Sequence, residues 1–310
     1  LQKIFVSGAA GYIGGAIARR AAATATVFGG VRHRSTLPAG IKPVITGDLA
    51  ETRFGLPDVN IVIHAAGLGH RRGISRATWQ RQNVDAAVNL ARAAKLVGAK
   101  RFILISTAYV LGRIHEGVVT DTTPPAPMDD YAQSKLDAEA AVMDAFGPGV
   151  SILRPCAVIG PGCPGNIQLL LKLLTRGVPL PFAGISNQRG FIPVDDLASL
   201  ALTVAEAEAP PPLLLAAHPE TISTPALIRA LAQDLGVTPR LFPFPAAVLG
   251  LGAGLAGRAA MWQSLSGNFR TAPNAALALG WKPAESLVES LATTARYYNT
   301  TTKPLDAASQ

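Results

Sequence analysis

Lys3-Ile4-Phe5-Val6-Ser7-Gly8-Ala9-Ala10-Gly11-Tyr12-Ile13-Gly14 is the stretch that decides the fold. A short apolar run ends in a glycine triplet, and an alanine-rich helical pattern over 12–23 follows at once. Gly8 suits the tight turn, Gly11 lets backbone approach phosphate oxygens, and Gly14 permits close packing of helix on strand. The first amides of the helix, with Tyr12 and Ile13 among them, then face an anion. This order predicts a dinucleotide-binding unit.

Outward from it, 26–31, 43–45, 60–64, 101–106 and 150–153 read as further strands, alternating with helical patterns at 78–97 and 131–146. Such alternation predicts an α/β protein with a Rossmann-type doubly wound parallel sheet. Pro155 should stop the strand at 150–153. The texture changes from Gly160 onward, where prolines and glycines separate short apolar helices. Residues 1–160 are therefore expected to form the dinucleotide-binding domain, with returns at about 188–217, and 161–310 a smaller α/β substrate-binding subdomain.

The net charge of +8 comes from scattered Lys and Arg without interleaved aromatics, which argues against a nucleic-acid partner and for anionic small molecules. Cys156 and Cys163 have no metal-ligand spacing and read as reduced structural thiols; no metal is expected. Residues 241–257 carry no charge and approach membrane-spanning length, but Pro243, Pro245 and four glycines suit a broken buried helix better. No signal peptide is visible, so a cytoplasmic protein without a membrane role is expected.

Eighteen residues after Gly14, where an acidic side chain would bind the ribose hydroxyls of NAD, stands Arg32, followed by His33 and Arg34. A cation there suits a 2′-phosphate, which favours NADP while leaving NAD open. Asp48 and Leu49 follow the third strand, on the adenine side. Tyr131 and Lys135 lie one helical turn apart, so a phenol and an ammonium project together. A lysine can lower a tyrosine pKa and let it exchange a proton with a substrate oxygen. Ser106 and Thr107, ahead of Gly112, bring hydroxyls to the same sheet edge.

On these motifs, together with His64-Ala65-Ala66-Gly67, Asn83, Arg154-Pro155, Gly160-Pro161-Gly162 and Leu279-Gly280-Trp281-Lys282-Pro283, the chain resembles extended short-chain dehydrogenase/reductases of the NAD-dependent epimerase/dehydratase group. The resemblance implies Thr107, Tyr131 and Lys135 as catalytic residues, with Asn83 supporting the lysine. It also implies Ala65, Ala66, Gly67, Ser106 and Pro155 against the cofactor, and Asn166 and Arg189 on a sugar nucleotide's diphosphate. The second half is similar to UDP-glucose 4-epimerase-like and UDP-N-acetylquinovosamine 4-reductase-like members, implying 4-epimerisation or 4-keto reduction of a UDP-hexose. A homodimer is implied by resemblance alone. Other classes sharing this equipment are a steroid- or dihydroflavonol-type dehydrogenase with an apolar substrate and a non-catalytic dinucleotide sensor. The loop carrying His70, Arg71 and Arg72 could reach phosphates or simply be solvated, and His64 and His115 read as structural.

Overall fold

The structure, a computed structural model, describes residues 2–51, 54–69 and 73–302. The first half runs β1 (Lys3–Ser7), α1 (Tyr12–Ala21), β2 (Thr26–Val31), β3 (Ile41–Ile45), β4 (Ile61–His64), α2 (Arg76–Trp79), α3 (Ala86–Leu96), β5 (Arg101–Ile105), β6 (Val118–Val119) and α4 (Asp130–Phe146). It continues with β7 (Val150–Pro155), β8 (Ala157–Ile159), α5 (Asn166–Thr175), β9 (Arg189–Pro193), α6 (Val194–Glu206), β10 (Leu213–Ala216), β11 (Thr221–Ile222) and α7 (Thr224–Leu235). The last elements are α8 (Ala246–Leu255), α9 (Ala259–Ser266), β12 (Arg270–Thr271), α10 (Asn274–Ala278) and α11 (Leu287–Thr302).

Seven strands form one parallel sheet in the order β10-β7-β5-β4-β1-β2-β3. The order reverses on either side of β1, which opens a crevice beyond the strand ends. Both faces are covered at the centre, so the inner strands are mostly apolar and alternate residues feed two separate cores, while the edge strand β3 is largely exposed. Ile4, Val6, Ile61, Ile63, Ile103 and Ile105 pack towards α1 and α6. Phe5, Val62, Phe102, Leu104 and Ile152 pack towards α3 and α4 on the other side. Each such side chain contributes about 1.5–3 kcal/mol on burial, and the alternation holds every strand in register. A third core joins α5, α7 and α11 in the second half.

Three sequence expectations need correction. Pro155 does not cut β7 short: it is the strand's last residue, opposite Ala216, where β5 has already ended. The 78–97 helix is not uniform, because a π-helical segment, Gln80–Asp85, joins α2 to α3 and presents Gln82 and Asn83. The uncharged 241–257 stretch is not buried; it yields the short helix α8, which has no buried residue and packs chiefly against α9. Among the described residues no helix is long and apolar enough to cross a membrane. His70, Arg71, Arg72 and residues 303–310 lie outside the described residues.

Candidate active site

The glycine loop has the geometry its spacing implies. Gly8 has φ +68°, and a Cβ there would come within 2.9 Å of the Ala66 backbone. A Cβ on Gly14 would sit 2.3 Å from the Gly8 carbonyl oxygen, so this glycine sets how closely α1 approaches β1. Gly11 is the N-cap of α1, without a side-chain cap and with no acid in the first turn, leaving the first amides for an anion. The Tyr12 side chain turns away: its hydroxyl is buried beside Gly160 with no hydrogen-bond partner among the described residues, and burial raises its pKa. Tyr12 can thus serve the loop through its backbone.

Beside the loop lies a cavity of about 420 Å³ lined by Gly8, Arg32, Asp48, Leu49, Ala66 and Gly67, with Gln82 at its side. Its size, the helix terminus and the close-approach glycines fit the adenosine half of a dinucleotide. Ser7 shapes its floor: the hydroxyl accepts from the Ala65 and Ala66 amides and therefore gives its own proton to His64 Nδ1, 2.7 Å away. Burial, with the Lys135 charge, pushes the His64 pKa down to about 3, so the ring stays neutral. Asp48 is taken up by protein partners, Arg81 at 2.8 Å and the Gln82 amide at 3.2 Å. Partial burial opposes its ionisation, yet the Ala50 amide, Gln82, Arg81 and Arg32 outweigh that and hold its pKa below the usual value. Arg32 faces the cavity and donates to Gln82 at 2.8 Å, whereas Arg34 is exposed and outside the lining.

Thr107 ends the β5 edge as the N-cap of a 3-10 turn, Ala108–Leu111, and its side chain is hydrogen-bonded to Tyr131. Asp129 caps α4 through the Ala132 amide at 2.8 Å, which fixes where Tyr131 and Lys135 leave the helix. Lys135 Nζ donates to the Ile105 carbonyl at 2.8 Å; burial pushes its pKa down to about 8 against the raising charge of Glu139. Burial likewise pushes Tyr131 up to about 12, while the Thr107 hydrogen bond lowers it, Tyr109 and Asp129 raise it, and Arg113 lowers it. Arg113 is a cation beside the phenol that the sequence did not single out. Arg113 is buried, paired with Asp129, and lies 4.5 Å over the Tyr109 ring.

Two other residues have partners the sequence did not show. Asn83 Oδ1 accepts from the Leu68 amide at 2.8 Å and its Nδ2 donates to Ser134, the neighbour of Lys135, at 3.0 Å. Ser134 in turn donates to the Tyr131 carbonyl at 2.8 Å, so Asn83 ties the cavity wall to α4. The Ser106 hydroxyl donates to Glu139, which is held by Arg154 in a buried bidentate pair, so Ser106 has only its backbone left for a cofactor.

Beyond Thr107 the cleft continues through a pocket of about 50 Å³ that includes Pro155, Cys156 and Phe269, into one of about 220 Å³ that includes Asn166 and Thr224. Arg189 borders both. It is buried, donates to the Gly267 and Gln263 carbonyls at 2.8 and 3.3 Å, and faces no carboxylate within ion-pair distance among the described residues. Asn166 is exposed at the start of α5. Cys156 and Cys163 are free and buried, and the described residues include no His/Cys/Asp/Glu cluster able to hold a metal. Sequence reading missed Arg113, Tyr109, Phe269 and Trp79, whose ring lies 5.4 Å from that of Tyr131. For Trp79 a signal existed, four residues before Asn83 on one helical run; the others are brought in by tertiary packing.

The profile of the NAD dependent epimerase/dehydratase family matches residues 4–214. The chain belongs to that family. UDP-glucose 4-epimerase of Vibrio cholerae is 29% identical over 96% of the chain and 95% of its own length. GDP-6-deoxy-D-mannose reductase of Pseudomonas aeruginosa is 30% identical over 65% of the chain and 69% of its own. Among solved structures, Bordetella bronchiseptica WbmG in complex with NAD superposes with a TM-score of 0.78 at 20% identity, covering 96% of the chain and 94% of its own. UDP-glucuronic acid 4-epimerase of Bacillus cereus, also with NAD, gives 0.77 at 22% identity over 99% of both chains.

Proposed function

We propose that the chain is an NADP(H)-preferring oxidoreductase acting at C4 of a nucleotide-diphosphate hexose, with 4-keto reduction as its leading reaction. The observation supporting this reading is the hydrogen bond of Thr107 to Tyr131, with Lys135 one turn further along α4, alongside a crevice bordered by Arg32 and a cleft bordered by Arg189. When bound, the nicotinamide supplies the hydride. Tyr131 is protonated at neutral pH, so it acts as the acid, passing its phenolic proton to the C4 oxygen while the Thr107 hydroxyl donates to that oxygen. Lys135 spends one N–H on Ile105 and keeps two for a ribose hydroxyl and for restoring the phenolic proton. Arg113 steadies the charge that the phenol acquires. Arg189, a buried cation facing no carboxylate within ion-pair distance, is matched to a diphosphate.

Arg32 supports NADP, since its guanidinium faces the cavity where a 2′-phosphate would lie. A second reading, 4-epimerisation with retained NAD, is favoured by the near full-length likeness to the Vibrio cholerae epimerase. An apolar steroid-like substrate fits less well, because it would leave Arg189 buried without an anion.

Incubation with UDP-hexoses and their 4-keto forms, followed by NADPH absorbance and product analysis, tests the reading. NADPH oxidation equal to the 4-keto sugar consumed is the expected result. Interconversion of two sugars without net cofactor change makes the chain an epimerase. Absence of turnover and of binding with UDP-, GDP- and dTDP-hexoses alike refutes both.

A further inference from the structure

An α-helix apolar on all sides is normally found inside a core or in lipid, yet α8 is neither buried nor long enough to span a bilayer. Leu249, Gly250 and Ala253 form its half-buried side towards α9, where a Cβ on Gly250 would meet the Trp262 indole nitrogen at 2.9 Å. The opposite side is a stripe one and two turns long: Val248, Leu251 and Leu255 are 54%, 68% and 85% exposed. Phe242 and Phe244, just before the helix, are 40% and 42% exposed and form an edge-to-face pair. Contiguous apolar surface of this kind marks an interaction site.

We propose that the α8–α9 hairpin is an in-plane docking element for an anionic phospholipid bilayer. Charge selects this occupant. From Gly236 to Ala284 the sequence holds no acidic residue, while Arg240, Arg258, Arg270 and Lys282 are all cationic. Arg240 and Arg258 stand exposed at the two ends of the uncharged 241–257 stretch, and the whole chain carries +8. Guanidinium groups flanking an apolar stripe can reach lipid phosphates while the stripe enters the acyl boundary. A second copy on the same face would bring like charges together across a two-fold axis, with no acid in the segment to meet them. Pro243 and Pro245 end the preceding chain, so the ten-residue helix, about 15 Å long at 1.5 Å per residue, can lie flat as a separate unit.

The hairpin also adjoins the cleft. Ser264 and Leu265 of α9 line the 220 Å³ pocket, and the carbonyls of Gln263 and Gly267 receive Arg189. Docking through α8 would set this wall of the cleft close to the lipid headgroups.

Flotation of the full chain with vesicles of phosphatidylcholine, alone or with a third phosphatidylglycerol, tests the proposal. Emission of Trp262 can be followed in parallel, since Trp79 and Trp281 are buried. The wild type is expected to float with the anionic vesicles, to be released by high salt, and to show a blue shift. Leu251→Asp with Leu255→Asp, both at exposed positions, should weaken binding at least about tenfold, and Arg240→Gln with Arg258→Gln should remove the preference for anionic lipid. Unchanged thermal midpoints serve as the folding control. A wild type that stays unbound at low salt, equal flotation of the aspartate variant, or equal binding to neutral vesicles overturns the proposal. So does self-association that the aspartate variant abolishes without any vesicle binding, which would make the face an interface between copies.

Discussion

The two ends of the cleft are built from different materials. At the Gly8 end the surface is backbone: a positive-φ turn, the bare start of α1, and the amides of Ala65 and Ala66 drawn in by one serine hydroxyl. At the Arg189 end it is side chains and carbonyls gathered from β8, β9, α5, α7 and α9, with Arg189 held by residues 74 and 78 positions away. Backbone cannot be exchanged without refolding the turn, whereas side chains can. The first end is thus suited to a constant ligand and the second to one that differs among relatives.

The largest effect is expected at the seam. Tyr131→Phe keeps the ring against Trp79 but removes the phenolic proton hydrogen-bonded to Thr107, so turnover should fall on the order of 10³-fold with the dinucleotide dissociation constant nearly unchanged. Retained turnover would mean that proton transfer belongs to another group. A matching fall in cofactor affinity would mean that the seam cannot be separated from the Gly8 end.

Arg189→Gln probes the other end. Loss of a charge-assisted contact to a diphosphate predicts a rise in sugar-nucleotide KM of about 10- to 100-fold, with little change in cofactor binding. The same substitution frees the carbonyls of Gln263 and Gly267, so part of the effect should be a lower melting temperature. A lower melting temperature with unaltered KM would leave Arg189 as a brace for α9 and would remove the diphosphate reading of the cleft.

What the sequence made legible follows the same division. Gly8, Gly11 and Gly14 belong to one turn, and Tyr131 and Lys135 to one helical turn, so spacing alone carried their geometry. Thr107 was found because the 3-10 turn leading to Gly112 is equally local. Arg113 was not found. Its place beside Tyr131 depends on Asp129, Tyr109 and Ser264, which meet only after α4 and α9 have docked. For Asn83 the sequence offered a role but no route: the π-helical turn at Gln80–Asp85 directs its amide to Ser134, one residue before Lys135. The uncharged 241–257 stretch was misjudged because burial depends on what the rest of the chain supplies as cover, and composition cannot show that.

Arg32 is the exception that sharpens the contrast, a side chain setting a property of the otherwise backbone-built end. Its guanidinium is half exposed and shares Asp48 with Arg81, so only part of its charge remains for a phosphate. Arg32→Asp should therefore shift the ratio of kcat/KM for NADPH over NADH about tenfold towards NADH, a smaller change than a fully desolvated cation would give. Gln82 would then lose its contact with Arg32 but keep Asp48. The new carboxylate, beside Asp48, should be partly offset by Arg81. An unchanged ratio would show that Arg32 serves only to hold Gln82 at the cavity wall, and cofactor choice at this end would then be as much a matter of backbone as cofactor binding is.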